Sequence, residues 1–275
     1  MRKVRVGRIK YINVLPIYYA LENGIIENDY EFFYGTPSEL NKMASRGEVD
    51  VSSVSSIEYA RNFPKYLLVP NIAIGSNGSV KSVILKSKVP PSQLDQKKIL
   101  VSAQTHTSFA LLKMILEKKF NVFPEYMVGN VESLLEEESF SGFLAIGDEA
   151  LNLRNHPKFP YILDLGEAWQ KWTGYPFVFG VWIVNISSID IFSDKINEVC
   201  KNLLKSKDWG NKRIRFFCEK IIKHKVLTKE ELISYFNHLS YDLDEKEKKG
   251  LVLFYKLLEE LNEIPKAPPL NFYNL

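Results

Sequence analysis

Three times within roughly its first 60 residues the chain runs from a short apolar stretch through a polar turn into a helix-like stretch. No other feature limits its fold so tightly. Val4, Val6 and Ile9 form the apolar part of the first strand, Gly7 permits a close approach to the backbone, and Lys10, Tyr11 and Asn13 make the turn. Pro16 then sits in a first helical turn, where its missing N–H is not needed. Residues 30–34 read as a second strand. Thr36 as N-cap, Pro37 as first helical residue and Glu39 as the other half of a capping box predict a helix through about residue 46. Gly47 closes it, residues 49–54 return as strand, and Ser52, Ser53, Ser55 and Ser56 lead into the helix-like segment 57–61. Strands separated by helices predict a parallel sheet covered by helices.

Residues 67–70, 72–74 and 79–85 are further strand candidates, the last suited to crossing from one unit to another. Val89, Pro90 and Pro91 then form a stiff break that suits a junction. The pattern restarts with a strand at 98–102, a polar turn, and a helix whose Phe109, Leu112, Ile115 and Leu116 share one face. Strands at 122–128, 141–146 and 161–165 alternate with helical stretches at 131–138 and 167–172. Residues 173–185 are the longest apolar run and the natural return crossing. Helices are expected at 189–204, 209–223, 228–237 and 243–261, the third opened by a Thr228/Glu231 capping box. The expected architecture is an α/β protein of two lobes joined by two strand crossings that form a hinge. Residues 1–84 with 180–275 make the first lobe and its C-terminal helices, and 85–179 make the second.

Several functions are disfavoured on composition. The 36 basic and 33 acidic residues leave a net charge of +3, too little for a nucleic-acid footprint. Lys246, Lys248 and Lys249 alternate with Glu245 and Glu247 as on a solvated helix face. No stretch reaches the roughly 18 apolar residues of a membrane span, and residues 177–186 read as a buried strand. Arg2, Lys3 and Arg5 are not followed by an apolar signal core, so export is not expected if Met1 is the start. Cys200 and Cys218 belong to no CxxC motif and read as reduced and inert. His106, His156, His224 and His238 show no metal-ligand spacing, so neither a metal nor a cofactor is expected.

The polar turns at 10–13, 52–56, 104–108 and 147–148 all follow strands, and ligands of open α/β sheets collect beyond the carboxyl ends of strands. A cleft between the lobes should therefore collect them. Asn13, taken alone, reads as a cap or turn residue. One of the four serines suffices for a helix cap, and Ser55 and Ser56 are candidates to face a ligand. Thr105, Thr107 and Ser108 stand at a helix N-terminus, where N–H groups favour an anion. Gly147 turns into a helix for which Asp148 reads as N-cap before it reads as a base. His106 reads as a bystander.

The segments GRIKYINVLP, YGTPSEL, GEVDVSSVSSIEYA, SVKSVIL, THTSFALL, IGDEAL, DLGEAW and TGYPFVFGVW, in this order, resemble the chorismate dehydratases of the futalosine route to menaquinone. The likeness spans most of residues 5–185, and the C-terminal helices fit it. It implies a periplasmic-binding-protein-like fold of the second type, used by a cytoplasmic enzyme. It also implies a small-molecule substrate, chorismate, dehydrated to 3-[(1-carboxyvinyl)oxy]benzoate, with the substrate's own enolpyruvyl carboxylate as base. Asn13 is then implied to touch the reacting ring. Ser82, Ser55 and Ser56 would hold one carboxylate, and Thr105, Thr107 and Ser108 the other. Gln104, His106 and Gly180 depart from the expected pattern. A non-catalytic solute-binding protein and the sister dihydroxynaphthoate synthase are the alternatives.

Overall fold

The computed structural model describes residues 2–134, 139–221 and 227–275. His224 and the ends of the helices expected at 131–138 and 209–223 lie outside the described residues. The first unit runs β1 (Arg5–Ile9), α1 (Leu15–Glu22), β2 (Glu31–Gly35), α2 (Pro37–Ser45), β3 (Val51–Ser55), α3 (Ser56–Asn62) and β4 (Tyr66–Ser76). The second runs β5 (Val83–Ser87), β6 (Lys98–Ser102), α4 (Thr107–Met114), β7 (Glu125–Gly129), α5 (Val131–Leu134), β8 (Gly142–Ile146), α6 (Gly147–Leu153), β9 (Tyr161–Asp164) and α7 (Leu165–Thr173). β10 (Phe177–Asn185) precedes the closing helices α8 (Ile186–Asn211), α9 (Ile214–Ile221), α10 (Lys229–His238) and α11 (Glu245–Glu260).

Two five-stranded sheets result, ordered β2-β1-β3-β10-β4 and β7-β6-β8-β5-β9. In each, four strands run the same way, and the strand that follows a crossing inserts antiparallel in fourth place. β3 and β8 are buried throughout, as expected of strands covered on both faces. This is the two-lobed α/β arrangement expected from the strand and helix rhythm.

Local signals hold where they are self-contained. Thr36 and Glu39 form the predicted capping box, as do Thr228 and Glu231. Gly7 does admit a close neighbour, but the neighbour is protein. A Cβ there would lie 2.1 Å from the Ser52 hydroxyl.

Three expectations change. Residues 67–70 and 72–74 belong to one strand, because Asn71 takes a positive φ of 58° and forms an irregularity rather than a break. The alternating stretch 79–82 is no strand. Its amides are taken by a carboxylate, with Val80 N and Lys81 N donating to Asp164 at 3.0 and 2.7 Å, and Ser79 Oγ adding a bond of 2.7 Å. The double proline marks no change of sheet, since β5 before it and β6 after it share the second sheet. The expected boundaries at 84/85 and 179/180 fall inside β5 and β10. One connection between sheets leaves and the other arrives side by side, where Phe177 pairs with Ser76 and Val178 with Gly75.

Both cysteines are free and buried, and burial pushes their thiols up to about 12 for Cys200 and about 11 for Cys218. They are inert, as expected.

Candidate functional site

A cleft of about 640 Å³, its mouth included, lies between the carboxyl ends of the two sheets. Asn13 enters it from a 3-10 turn at Ile12–Val14 that Ile12 and Val14 anchor in the core. Of the two simple readings, cap or turn residue, the turn holds and the cap does not. Neither this turn nor α1 has a side-chain cap, and Asn13 Oδ1 is buried with no hydrogen-bond partner among the described residues. The backbone carbonyl of Asn13 instead accepts from the Tyr241 hydroxyl at 2.8 Å.

The serines divide. Ser52 turns back on the Ser53 carbonyl at 3.0 Å. Ser55 lines the cleft, its Oγ accepting from Asn41 Nδ2 at 2.7 Å and so keeping its own proton for another acceptor. Ser56 does not line it: its hydroxyl donates to the Val178 carbonyl at 2.6 Å. Ser82 does, from the crossing segment, and accepts from the Tyr235 hydroxyl at 3.2 Å.

On the opposite wall stand Thr105, Thr107 and Ser108. Thr105 Oγ1 is engaged with the Ser102 carbonyl at 2.7 Å. Thr107 reaches across and accepts from Ile57 N at 3.1 Å, in the first turn of α3. Gly147 lines the cleft at a φ of 56°, and a Cβ there would lie 3.0 Å from the Tyr11 ring. Asp148 is in the first turn of α6 and does not line the cleft. The N-cap is Ile146, so the expected cap role of Asp148 is not found.

Two side-chain pairs span the cleft mouth. The Tyr11 hydroxyl donates to Gln104 Oε1, and His106 Nε2 lies 3.2 Å from Ser38 Oγ. His106 lines the cleft, and burial, with Arg61 and Lys42 nearby, lowers its pKa. Burial raises the Tyr11 pKa, with Glu149, Asp148 and Glu39 adding to the effect. Gln104 and Tyr11 lay in turns already singled out. Leu239 and Tyr235 reach the site from the C-terminal helices, and nothing local in the sequence marks them.

The chemistry of the lining is uncharged. Among the lining residues there is no Lys, Arg, Asp or Glu, and apolar walls come from Ile9, Ile74, Val83, Phe179 and Leu239. Glu58 is 8% exposed but held away by Tyr66 at 2.9 Å and Asn62 at 2.7 Å. Burial raises its pKa despite both bonds. No group of His, Cys, Asp and Glu among the described residues has the arrangement of a metal site. Hydroxyls and an amide in a largely apolar cleft can hold an anion and order a reactive conformation. They can stabilise charge that develops on the ligand.

Comparison with known proteins agrees with this picture. Among solved structures, a protein from Archaeoglobus fulgidus superposes with a TM-score of 0.78 at 20% identity, covering 95% of this chain and 98% of that one. The periplasmic aliphatic sulphonate binding protein of Escherichia coli superposes at 0.68 with 12% identity, covering 100% and 92%. These likenesses establish the periplasmic-binding-protein-like fold. In sequence, the chorismate dehydratase of Thermus thermophilus is 28% identical over 98% of both chains. That of Campylobacter jejuni is 27% identical over 82% of this chain and 92% of its own. A family described as Menaquinone biosynthesis matches residues 4–260, nearly the whole length, and the chain belongs to that family.

Proposed function

We propose that the protein is an enzyme, a hydro-lyase that removes water from chorismate to give 3-[(1-carboxyvinyl)oxy]benzoate. The observation that carries this reading is Asn13, an amide whose buried oxygen has no partner among the described residues, set in a cleft with no charged residue among its lining residues. Two relatives named chorismate dehydratase, aligned over most of their lengths, support the choice of substrate.

Chorismate carries two carboxylates, and its ring becomes aromatic when the C3 proton and the C4 hydroxyl leave. The protein then has little covalent work to do. It must orient the ring, hold the carboxylates and exclude water. Asn13 suits the departing hydroxyl: its oxygen accepts from the O–H, and its N–H groups stabilise the oxygen as the C–O bond lengthens. Ser55 and Ser82 on one wall, and Thr107 and Ser108 on the other, are assigned to the carboxylates; Thr105, whose hydroxyl and amide both donate to the Ser102 carbonyl, shapes the wall with the turn at Gly147.

For the base, the resemblance to the chorismate dehydratases points to the substrate itself, and the cleft offers no competing carboxylate among its lining residues. Glu58 and Asp148 are not among its lining residues, and His106 is committed to the mouth. The enolpyruvyl carboxylate of the substrate takes the C3 proton, the electron pair forms the ring double bond, and hydroxide leaves from C4. The proton and hydroxide together make the released water. Ser56 and Asp148 keep a supporting place, behind the wall rather than on it.

Incubating the purified protein with chorismate and following the aromatic product by absorbance and by mass tests this directly. Turnover supports the proposal. Tight binding without turnover would instead mark a receptor for small carboxylates, the other use of this fold.

A further inference from the structure

A set of hydrogen bonds ties the segment from α10 to residue 241 to the cleft. Tyr235 donates to Ser82 Oγ at 3.2 Å, and Lys81 Nζ donates to Ser234 Oγ at 2.6 Å, so α10 grips the crossing segment at two successive residues. Tyr241 donates to the Asn13 carbonyl at 2.8 Å. Residues 240–241 also join the edge of β4, with Ser240 N donating to the Gly75 carbonyl at 2.8 Å and Ala73 N to the Tyr241 carbonyl at 3.1 Å. One short stretch therefore fixes two residues of the cleft, Ser82 and Asn13.

The bond between Tyr235 and Ser82 has a direction that matters. A serine oxygen has one proton to give and two lone pairs to fill. Tyr235 is 1% exposed, Ser82 is 3% exposed, and the phenol occupies one of those lone pairs. Among the described residues the serine's own proton has only the Val80 carbonyl, at 3.5 Å, the outer limit of a hydrogen bond. It is better spent on an anionic oxygen in the cleft. A donor bound to the serine oxygen also polarises the O–H and strengthens that second bond. The phenol keeps its proton across the working range, since burial raises its pKa.

We propose that Tyr235 is a positioning residue, which sets the Ser82 hydroxyl as a donor toward a carboxylate in the cleft and so couples ligand binding to the C-terminal helices.

The test is a double-mutant cycle of Tyr235→Phe and Ser82→Ala in the full chain with chorismate, beside crystal structures of the ligand-free wild type and Tyr235→Phe. Phenylalanine keeps the ring packing and removes only the donor. Tyr235→Phe is expected to raise KM about five- to tenfold, the loss of one hydrogen bond, with kcat within about twofold. In the Ser82→Ala background the same change should alter KM by less than about twofold. In the Tyr235→Phe structure, Ser82 Oγ should turn toward the Val80 carbonyl. Equal KM losses in both backgrounds, or an unmoved Ser82, overturn the proposal. The kinetic arm rests on the dehydratase reading. A wild type without turnover sinks that reading alone, because the Ser82 rotamer decides the positioning role without substrate.

Discussion

The side chain of Thr107, in the second unit, accepts a hydrogen bond from the amide of Ile57, in the first, at 3.1 Å. A helix start in one lobe is thus satisfied by a hydroxyl of the other. α3 has no side-chain cap of its own, since Ser55 at the N-cap position is engaged with Asn41. Closure and local helix stability are therefore linked.

Thr107→Val keeps the shape and deletes that acceptor. Stability to urea should fall by about 1 kcal/mol, and KM for chorismate should rise, because the closed arrangement loses a bridge. Unchanged values of both would mean that water replaces the hydroxyl at no cost.

Asn13→Ala should leave the melting temperature within a few degrees, since the side-chain amide oxygen has no partner among the described residues to lose. Turnover should fall at least about a hundredfold, the scale of removing an electrostatic contact to a departing group. Folded, active Asn13→Ala protein returns Asn13 to a turn residue.

Glu58→Gln should retain activity and fold with equal or greater stability at neutral pH. Burial raises the Glu58 pKa, so its carboxylate is most compatible with the fold below the ordinary value of 4.5 and least so as pH rises through the folded value. Glutamine supplies the same acceptor to Tyr66 and Asn62 without a charge. Loss of turnover in a folded variant would make Glu58 a base after all.

His106 gives the opposite slope. Its pKa in the fold lies below the ordinary 6.5, so the unfolded chain binds the proton first. Stability is fully present above about 6.5 and declines as pH falls toward the folded value. Denaturation profiles of the wild type and His106→Gln should converge above pH 7 and separate below 6, with the variant the flatter.

Gly210→Ala should destabilise the protein by about 1–3 kcal/mol, since its Cβ would lie 1.9 Å from the Pro16 carbonyl oxygen where α8 crosses α1. Thermal unfolding measures this. A neutral outcome would require α1 and α8 to separate without cost.

What the sequence determined by itself is whatever short-range chemistry decides. The capping boxes at Thr36 and Thr228, the strand and helix rhythm, and the polar turns at Asn13, Thr105 and Gly147 need only neighbours a few residues away, so they could be seen in the chain. The tertiary structure decided everything that depends on a distant partner. Residues 79–82 alternate like a strand, yet Asp164, over 80 residues on, takes their amides. Four serines follow one strand, yet Asn41 and the Val178 carbonyl decide which of Ser55 and Ser56 faces the cleft. Tyr235 lies 153 residues from Ser82 and meets it only because the last helices fold back over the crossing. Hydrogen bonds of buried groups must be satisfied somewhere, and pattern within a window cannot say where.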